Sequence, residues 1–158
     1  VAMAKFYLDF TVEESCGKCA PCRIGNKRLH EMLQKITSGN GTIEDLERLP
    51  NLAGVIKDTA LCGLGQTSPN PVLSTMDNFY DEYLAHVKEK RCPSHQCREL
   101  TQYFINPEKC KGCTLCARNC PTGAIEGTVR NPHTIRQDKC IKCGTCMDKC
   151  KFGAISKK

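Results

Sequence analysis

No tryptophan occurs in the 158 residues, and aromatic side chains make up only 6% of them. A chain with so few large apolar groups cannot be held by its apolar core alone and needs staples. No apolar run approaches the roughly 20 residues that cross a bilayer as a helix, which excludes a membrane span. The opening residues V-A-M-A-K-F-Y-L-D-F have no secretory-signal layout. Neither G-x-G-x-x-G nor a P-loop pattern is present, so the chain has no glycine-rich phosphate cradle. No side chain stands out as a general acid, base or nucleophile, and no catalytic residue is expected. Val1 in place of a starting Met reads as a fragment of something longer.

What the chain has in excess is cysteine, fourteen in all. Disulfides would require an oxidising compartment, and the cysteines come in tight triplets that suit metal better than mutual pairing. A cytoplasmic protein with metal-held thiolates is expected. The stretch C-K-G-C-T-L-C-A-R-N-C-P begins at Cys110, and C-I-K-C-G-T-C-M-D-K-C begins at Cys140. Both place cysteines at offsets 0, 3, 6 and 10, and the halves repeat at an offset of thirty, with Gly123-Ala124-Ile125 falling on Gly153-Ala154-Ile155. This is the spacing of the bacterial two-cluster ferredoxins, in which the fourth cysteine of each run ligates the other cluster. The resemblance implies one [4Fe–4S] cluster on Cys110, Cys113, Cys116 and Cys150, and a second on Cys120, Cys140, Cys143 and Cys146. It also implies an α+β domain over 101–158, with a strand, the cysteine loop, a short helix and a strand in each half. A zinc module is the rival, but zinc sites use paired cysteines rather than triplets. Lys151 departs from the pattern where the first run has Pro121. Ligation should survive this, with a change in loop stiffness. His133, in the linker, reads as a surface residue.

The formal charge of +6 would ordinarily indicate an anionic partner. An oxidised cluster with four thiolates carries about −2, so three clusters bring the loaded protein close to neutral. Many lysines and arginines then act as local counterions, and nucleic acid is not an expected partner.

The third cysteine triplet is Cys16, Cys19 and Cys22 in E-S-C-G-K-C-A-P-C-R. Three thiolates from one short loop can hold three corners of a cubane. Gly17 permits close backbone approach, Pro21 stiffens the entry to a helix, and Lys18 and Arg23 offset cluster charge. Leu29, Met32, Leu33 and Ile36 form the i, i+3, i+4, i+7 stripe of a helix over 22–37. His30 beside that stripe reads as a partly exposed helix histidine. Thr42 and Asp45 fit a capping box, followed by a helix broken at Pro50 and resumed through Leu52, Val55 and Ile56. Residues 1–14 fit either period: Phe6, Leu8, Phe10 and Val12 alternate like a strand, whereas Ala2, Phe6 and Phe10 share a helical face. Cys62 is the only cysteine between Cys22 and Cys92 and sits in a Gly-rich loop, which makes it the expected fourth ligand of the first site.

E-S-C-G-K-C-A-P-C-R-I-G at 14–25, L-C-G-L-G-Q-T at 61–67 and N-P-V-L-S-T at 70–75 together resemble the C-terminal part of the complex I-type NADH-oxidising flavoprotein subunit. The closest likeness is to the version in soluble NAD(P)-linked, often electron-bifurcating [FeFe]-hydrogenases; related formate dehydrogenases share the module. The resemblance implies that Cys16, Cys19, Cys22 and Cys62 hold the cluster that exchanges electrons with FMN, on a small helical bundle over 1–90 in which 1–14 are helical. It further implies an upstream domain for FMN and NAD(P)(H), a catalytic hydrogenase or formate dehydrogenase subunit and a small [2Fe–2S] subunit as partners, and soluble ferredoxin as an exchange partner.

A connector joins the two parts. A helix over about 71–90 carries the apolar stripe Leu73, Met76, Tyr80, Tyr83, Leu84 and Val87. Then comes H-V-K-E-K-R-C-P-S-H-Q-C, with His86, Cys92, His95 and Cys97. These are the last cysteines left, and a Cys2His or Cys2His2 set suits structural zinc. His86, Cys92 and Cys97 are the expected ligands, with His95 or Glu82 as the fourth. The related hydrogenases imply a zinc-held hinge over 86–100 on which the ferredoxin domain moves. The expected whole is a helical iron–sulfur bundle followed by a two-cluster ferredoxin-like domain, relaying electrons through three clusters. A static iron–sulfur bridge and a zinc-based nucleic-acid module are the rivals.

Overall fold

The computed structural model describes residues 1–158, which divide into two compact units, Val1–Leu100 and Thr101–Lys158. The first unit is all helix: α1 (Ala2–Glu13), a π-helical turn (Pro21–Gly25), α2 (Asn26–Thr37), α3 (Ile43–Thr59), α4 (Gly63–Thr67) and α5 (Asn70–Lys88), closed by a 3-10 turn at Arg98–Leu100. Residues 2–13 are helical, as the family resemblance implies. Ala4 and Leu8 are fully buried, while Phe6 and Phe10 remain more than half exposed, which is the burial of a helix rather than a strand.

Leu29, Leu33 and Ile36 of α2 pack with Leu46, Leu49, Ala53 and Ile56 of α3 and with Val72, Met76, Tyr83 and Val87 of α5 in one apolar core. The start of α3 is fixed by Thr42, whose Oγ1 accepts from the Asp45 backbone N–H while Asp45 Oδ2 accepts from the Thr42 N–H at 2.8 Å.

Two local expectations are corrected. α3 runs unbroken through Pro50. An interior proline costs about 3 kcal/mol, but buried Leu, Ile and Ala side chains on both sides of it contribute roughly 1.5–3 kcal/mol for each large one. Pro50 itself lies on the exposed face, so the buried stripe passes beside it. In α5, Tyr80 is not part of the buried stripe and is 43% exposed. Phe79 beside it has non-helical angles (φ −136°, ψ 38°) and kinks the helix, with Val72 and Met76 buried before the kink and Tyr83, His86 and Val87 after it. Tyr83 Oη meets Thr75 Oγ1 at 2.8 Å across that kink.

The second unit has β1 (Tyr103–Ile105), α6 (Leu115–Arg118), β2 (Ile125–Glu126), β3 (Thr134–Ile135), α7 (Thr145–Lys149) and β4 (Ile155–Lys157). β1 pairs antiparallel with β4, with Ile105 opposite Ile155, and β2 with β3, with Ile125 opposite Ile135. The first strand of the domain is therefore bonded to the last, and the inner strands to each other. Its core is small: Tyr103, Ile125 and Ile155 share it with Cys116 and Cys146.

Candidate metal centres

The strand exchange in the second unit has a direct effect on the cysteines. Cys110, Cys113 and Cys116 line one cavity together with Cys150, which comes from the other half. Cys140, Cys143 and Cys146 line a second cavity together with Cys120. In each cavity the fourth cysteine comes from the other half of the repeat. Cys116 and Cys146 lie at the base of short helices and are buried. Burial, with the charges of neighbouring thiolates, raises the Cys116 thiol and pushes Cys146 up to about 11. Thiols crowded in this way ionise together only when a cation offsets them, and a coordinating metal deprotonates a thiol outright. Polar hydrogens already point at the sulfurs: the Ala124 N–H at Cys120 Sγ (3.3 Å), the Ala154 N–H at Cys150 Sγ (3.4 Å) and the Lys142 N–H at Cys140 Sγ (3.4 Å). At Cys120 burial alone would raise the thiol, but the Ala124 amide and Thr122 outweigh it and the net shift is downward. The Thr145 hydroxyl and amide lower Cys143.

In the first unit, Cys16 and Cys62 are exposed, and Cys19 and Cys22 are buried. The Leu61 backbone, next to Cys62, bonds the Cys19 sulfur and is the main reason that thiol is lowered. Cys62 caps α4, and Gly65 in that helix comes so close to Cys22 that an added Cβ would stand 3.2 Å from the Cys22 Cβ. The loop bearing Cys62 is thus brought up to the triplet. Cys22 sits in the π-helical turn, where one extra residue widens the helix.

Its sulfur is served by a buried network that sequence reasoning misses. Asn26 Nδ2 donates to Cys22 Sγ at 3.5 Å, and Ser68 Oγ donates to Asn26 Oδ1 at 2.7 Å, which turns the amide so that its NH2 faces the sulfur. Ser15 Oγ lies 3.2 Å from the same sulfur. His30 behaves as expected of a helix histidine: partly exposed, its Nε2 lies 2.7 Å from Asp9 Oδ1 and ties α2 to α1.

His86, Cys92 and Cys97 form the third kind of site. Their ligand atoms all lie within 4.8 Å of one another, and all three residues are buried. The His86 Nδ1–H donates to the Glu82 carbonyl at 2.6 Å, which leaves the Nε2 lone pair 3.3 Å from Cys97 Sγ. That is how a metal-binding imidazole is oriented. Burial lowers His86, favouring the neutral ring. Burial and the neighbouring Cys92 push Cys97 up to about 12. Cys92 is lowered because contacts with Ser94 and the Cys97 and Gln96 amides outweigh its burial. The donor set fits one tetrahedral cation. Glu82 serves this group through its backbone carbonyl. His95 has a buried Nδ1 without a hydrogen-bond partner.

His133 does not lie on the surface. It is 1% exposed and lines the cavity of Cys110, Cys113, Cys116 and Cys150. The signal is present in the thirty-residue repeat, because His133 is the repeat partner of Tyr103, which lines the other cavity.

No helix is long and apolar enough to cross a membrane. Residues 102–151 match the 4Fe-4S dicluster domain family. The chain is 62% identical over 133 residues to the NADP-reducing hydrogenase subunit HndC of Solidesulfovibrio fructosivorans, covering 84% of this chain and 27% of that protein. It is 40% identical over 77 residues to the alpha subunit of the NAD-reducing hydrogenase HoxS of Cupriavidus necator, covering 49% of this chain and 13% of that one. A crystal structure of an NAD+-reducing [NiFe]-hydrogenase in the H2-reduced state superposes with a TM-score of 0.53 at 32% identity, over 55% of this chain and 15% of that one. The chain thus spans between 13% and 27% of the length of these two curated relatives, which are subunits of oxidoreductase complexes. With residues 2–86 matching its family model, the chain belongs to the NADH-ubiquinone oxidoreductase-F iron-sulfur binding region family.

Proposed function

We propose that this chain is the electron relay of a cytoplasmic NAD(P)-linked hydrogenase, with three [4Fe–4S] clusters and one zinc ion. The observation that carries the reading is the cross-paired lining of the two cavities, with four cysteines on each and polar hydrogens directed at the sulfurs. Bound clusters would store and pass single electrons. The chain's own residues hold them, shield them and set their potentials through N–H···S bonds. The inner site is assigned to Cys16, Cys19, Cys22 and Cys62, facing the flavin of a domain that corresponds to the part of the relatives this chain does not span. FMN and NAD(P)(H) are assigned to that domain.

The proposed partners are a catalytic hydrogenase subunit of the [FeFe] type and a small [2Fe–2S] subunit. Soluble ferredoxin exchanges electrons with the 101–158 domain, which suits electron bifurcation. His86, Cys92 and Cys97 hold zinc in this reading, with His95 or Glu82 as the fourth ligand; neither side chain belongs to the close group of three. The zinc-tied segment 86–100 then serves as the hinge of the ferredoxin domain.

Metal analysis tests the reading, with an expected content of about 12 iron atoms and one zinc per chain. Cys97→Ser should lose the zinc and keep the iron. A protein holding zinc alone would overturn the reading. Clusters that dithionite reduces but that never exchange electrons with ferredoxin in turnover would favour a static bridge.

A further inference from the structure

Asn26 and Ser68 are polar side chains buried beside Cys22, at 0% and 3% exposure. Asn26 Nδ2 lies 3.5 Å from Cys22 Sγ, and Asn26 Oδ1 lies 2.7 Å from Ser68 Oγ. Ser15 Oγ reaches the same sulfur at 3.2 Å from a part-buried position. The amides at Cys120, Cys140 and Cys150 belong to the backbone and come with the fold. The Asn26 donor on Cys22 belongs to a side chain, and one substitution removes it.

The orientation of the Asn26 amide follows from the charge on the sulfur. A metal-bound thiolate accepts hydrogen bonds and cannot donate them, so it requires the NH2 end. Oδ1 is then left facing Ser68. The single Ser68 hydrogen has two acceptors in reach, Asn26 Oδ1 at 2.7 Å and the Gly65 carbonyl at 2.9 Å. A buried Oδ1 without a donor is costly, and its contact is the shorter one, so the hydrogen goes there. The amide needs no change of protonation to donate. Ser68 arrives with the ligand loop, because Cys62 is the N-cap of α4 and Ser68 its C-cap. One short helix thus brings up both the expected fourth ligand and the hydroxyl that sets the donor. Gly65 permits the approach, since an added Cβ there would stand 2.6 Å from Ala60 Cβ and 3.5 Å from Cys22 Sγ.

We propose that Asn26, oriented by Ser68, donates to the Cys22 thiolate and so raises the potential of the cluster held by Cys16, Cys19, Cys22 and Cys62. The inference rests on the reading that these four cysteines hold a [4Fe–4S] cluster. Reduction by one electron places more negative charge on the sulfurs, so a donor to sulfur favours the reduced form. Burial strengthens the effect, because the bond lies in a low-dielectric surrounding. Asn26 acts through the ligand and Ser68 acts through Asn26. Both are positioning residues, and neither is catalytic.

The test is an EPR-monitored redox titration of the iron-loaded full chain, with dithionite as reductant. Cys62→Ser identifies the inner cluster as the signal that is lost or altered. Asn26→Leu, which is branched alike and has no donor, should lower the reduced-to-oxidised ratio of that signal about tenfold at fixed potential, a shift of about 59 mV for one electron. Ser68→Ala keeps the amide but no longer holds it, and should lower the ratio about threefold. The two ferredoxin-domain signals should keep their potentials in both variants. A chain in which Cys62→Ser changes no signal would overturn the inner-cluster reading and this inference with it. A signal that answers to Cys62→Ser but keeps its potential in Asn26→Leu would overturn this inference alone. If Asn26→Leu loses the cluster, Ser68→Ala decides: an unshifted potential there, or loss of the cluster there too, would also overturn the inference.

Discussion

The two units keep their shape by different means. In Val1–Leu100, thirteen buried residues from four helices form one apolar core, and the cysteines lie outside it. In Thr101–Lys158, the apolar side chains are a handful of isoleucines and a tyrosine, with cysteines among them. Two-stranded sheets this short are not independently stable, and a domain this small needs staples. On the proposed reading, metal would be an addition to the first fold and a structural component of the second.

Removing iron would break or sharpen this contrast most. After extraction of iron, amide exchange should become fast throughout residues 101–158, while amides of α2, α3 and α5 stay protected. Equal loss of protection in both units would end the comparison. A smaller effect is expected from the apolar core. Leu33→Ala removes a fully buried side chain and should cost about 2–5 kcal/mol in denaturant unfolding of the first unit, with the ferredoxin-domain EPR signals unchanged.

The smallest effect concerns Asp45. Burial raises its carboxyl, but Lys35 at 2.7 Å and Thr42 outweigh that, and the net value is lowered. A lowered carboxylate stabilises the fold fully above its unfolded value, near 3.9, and the contribution disappears as pH falls through the folded value. Asp45→Asn should cost about 1 kcal/mol at pH 7. In urea unfolding of the iron-free chain, that gap should close below about pH 4. A gap that stays constant down to pH 2 would remove the charge from the explanation.

Much of the metal chemistry is legible in the sequence because it is local. Triplet cysteines three residues apart put three thiols on one short loop, and the ferredoxin resemblance implies the fourth thiol from the other half, which lines the same cavity. His86, Cys92 and Cys97 can be grouped because few other ligands remain. Other features are hidden because they depend on packing across distance. Asn26 and Ser68 are 42 residues apart and meet only when α4 closes over the triplet. A local rule makes Pro50 a break, and the stripe Leu46, Leu49, Ala53, Ile56 overrides it. A helical period puts Tyr80 in the core, whereas it follows the kinked Phe79 and is left exposed. The polar linker around His133 suggests a surface position, whereas its repeat partner Tyr103 marks an inner one.

The pairing of β1 with β4 also bears on the order of synthesis. A ribosome delivers Cys110, Cys113 and Cys116 long before Cys150, and Cys120 before Cys140. Neither cavity is complete when the first half has emerged, and β1 gains its partner only when Ile155–Lys157 have been made. A nascent first half would expose four thiols with no closed place for iron. On the proposed reading, cluster insertion would be tied to completion of the domain, because both cavities become available at nearly the same moment.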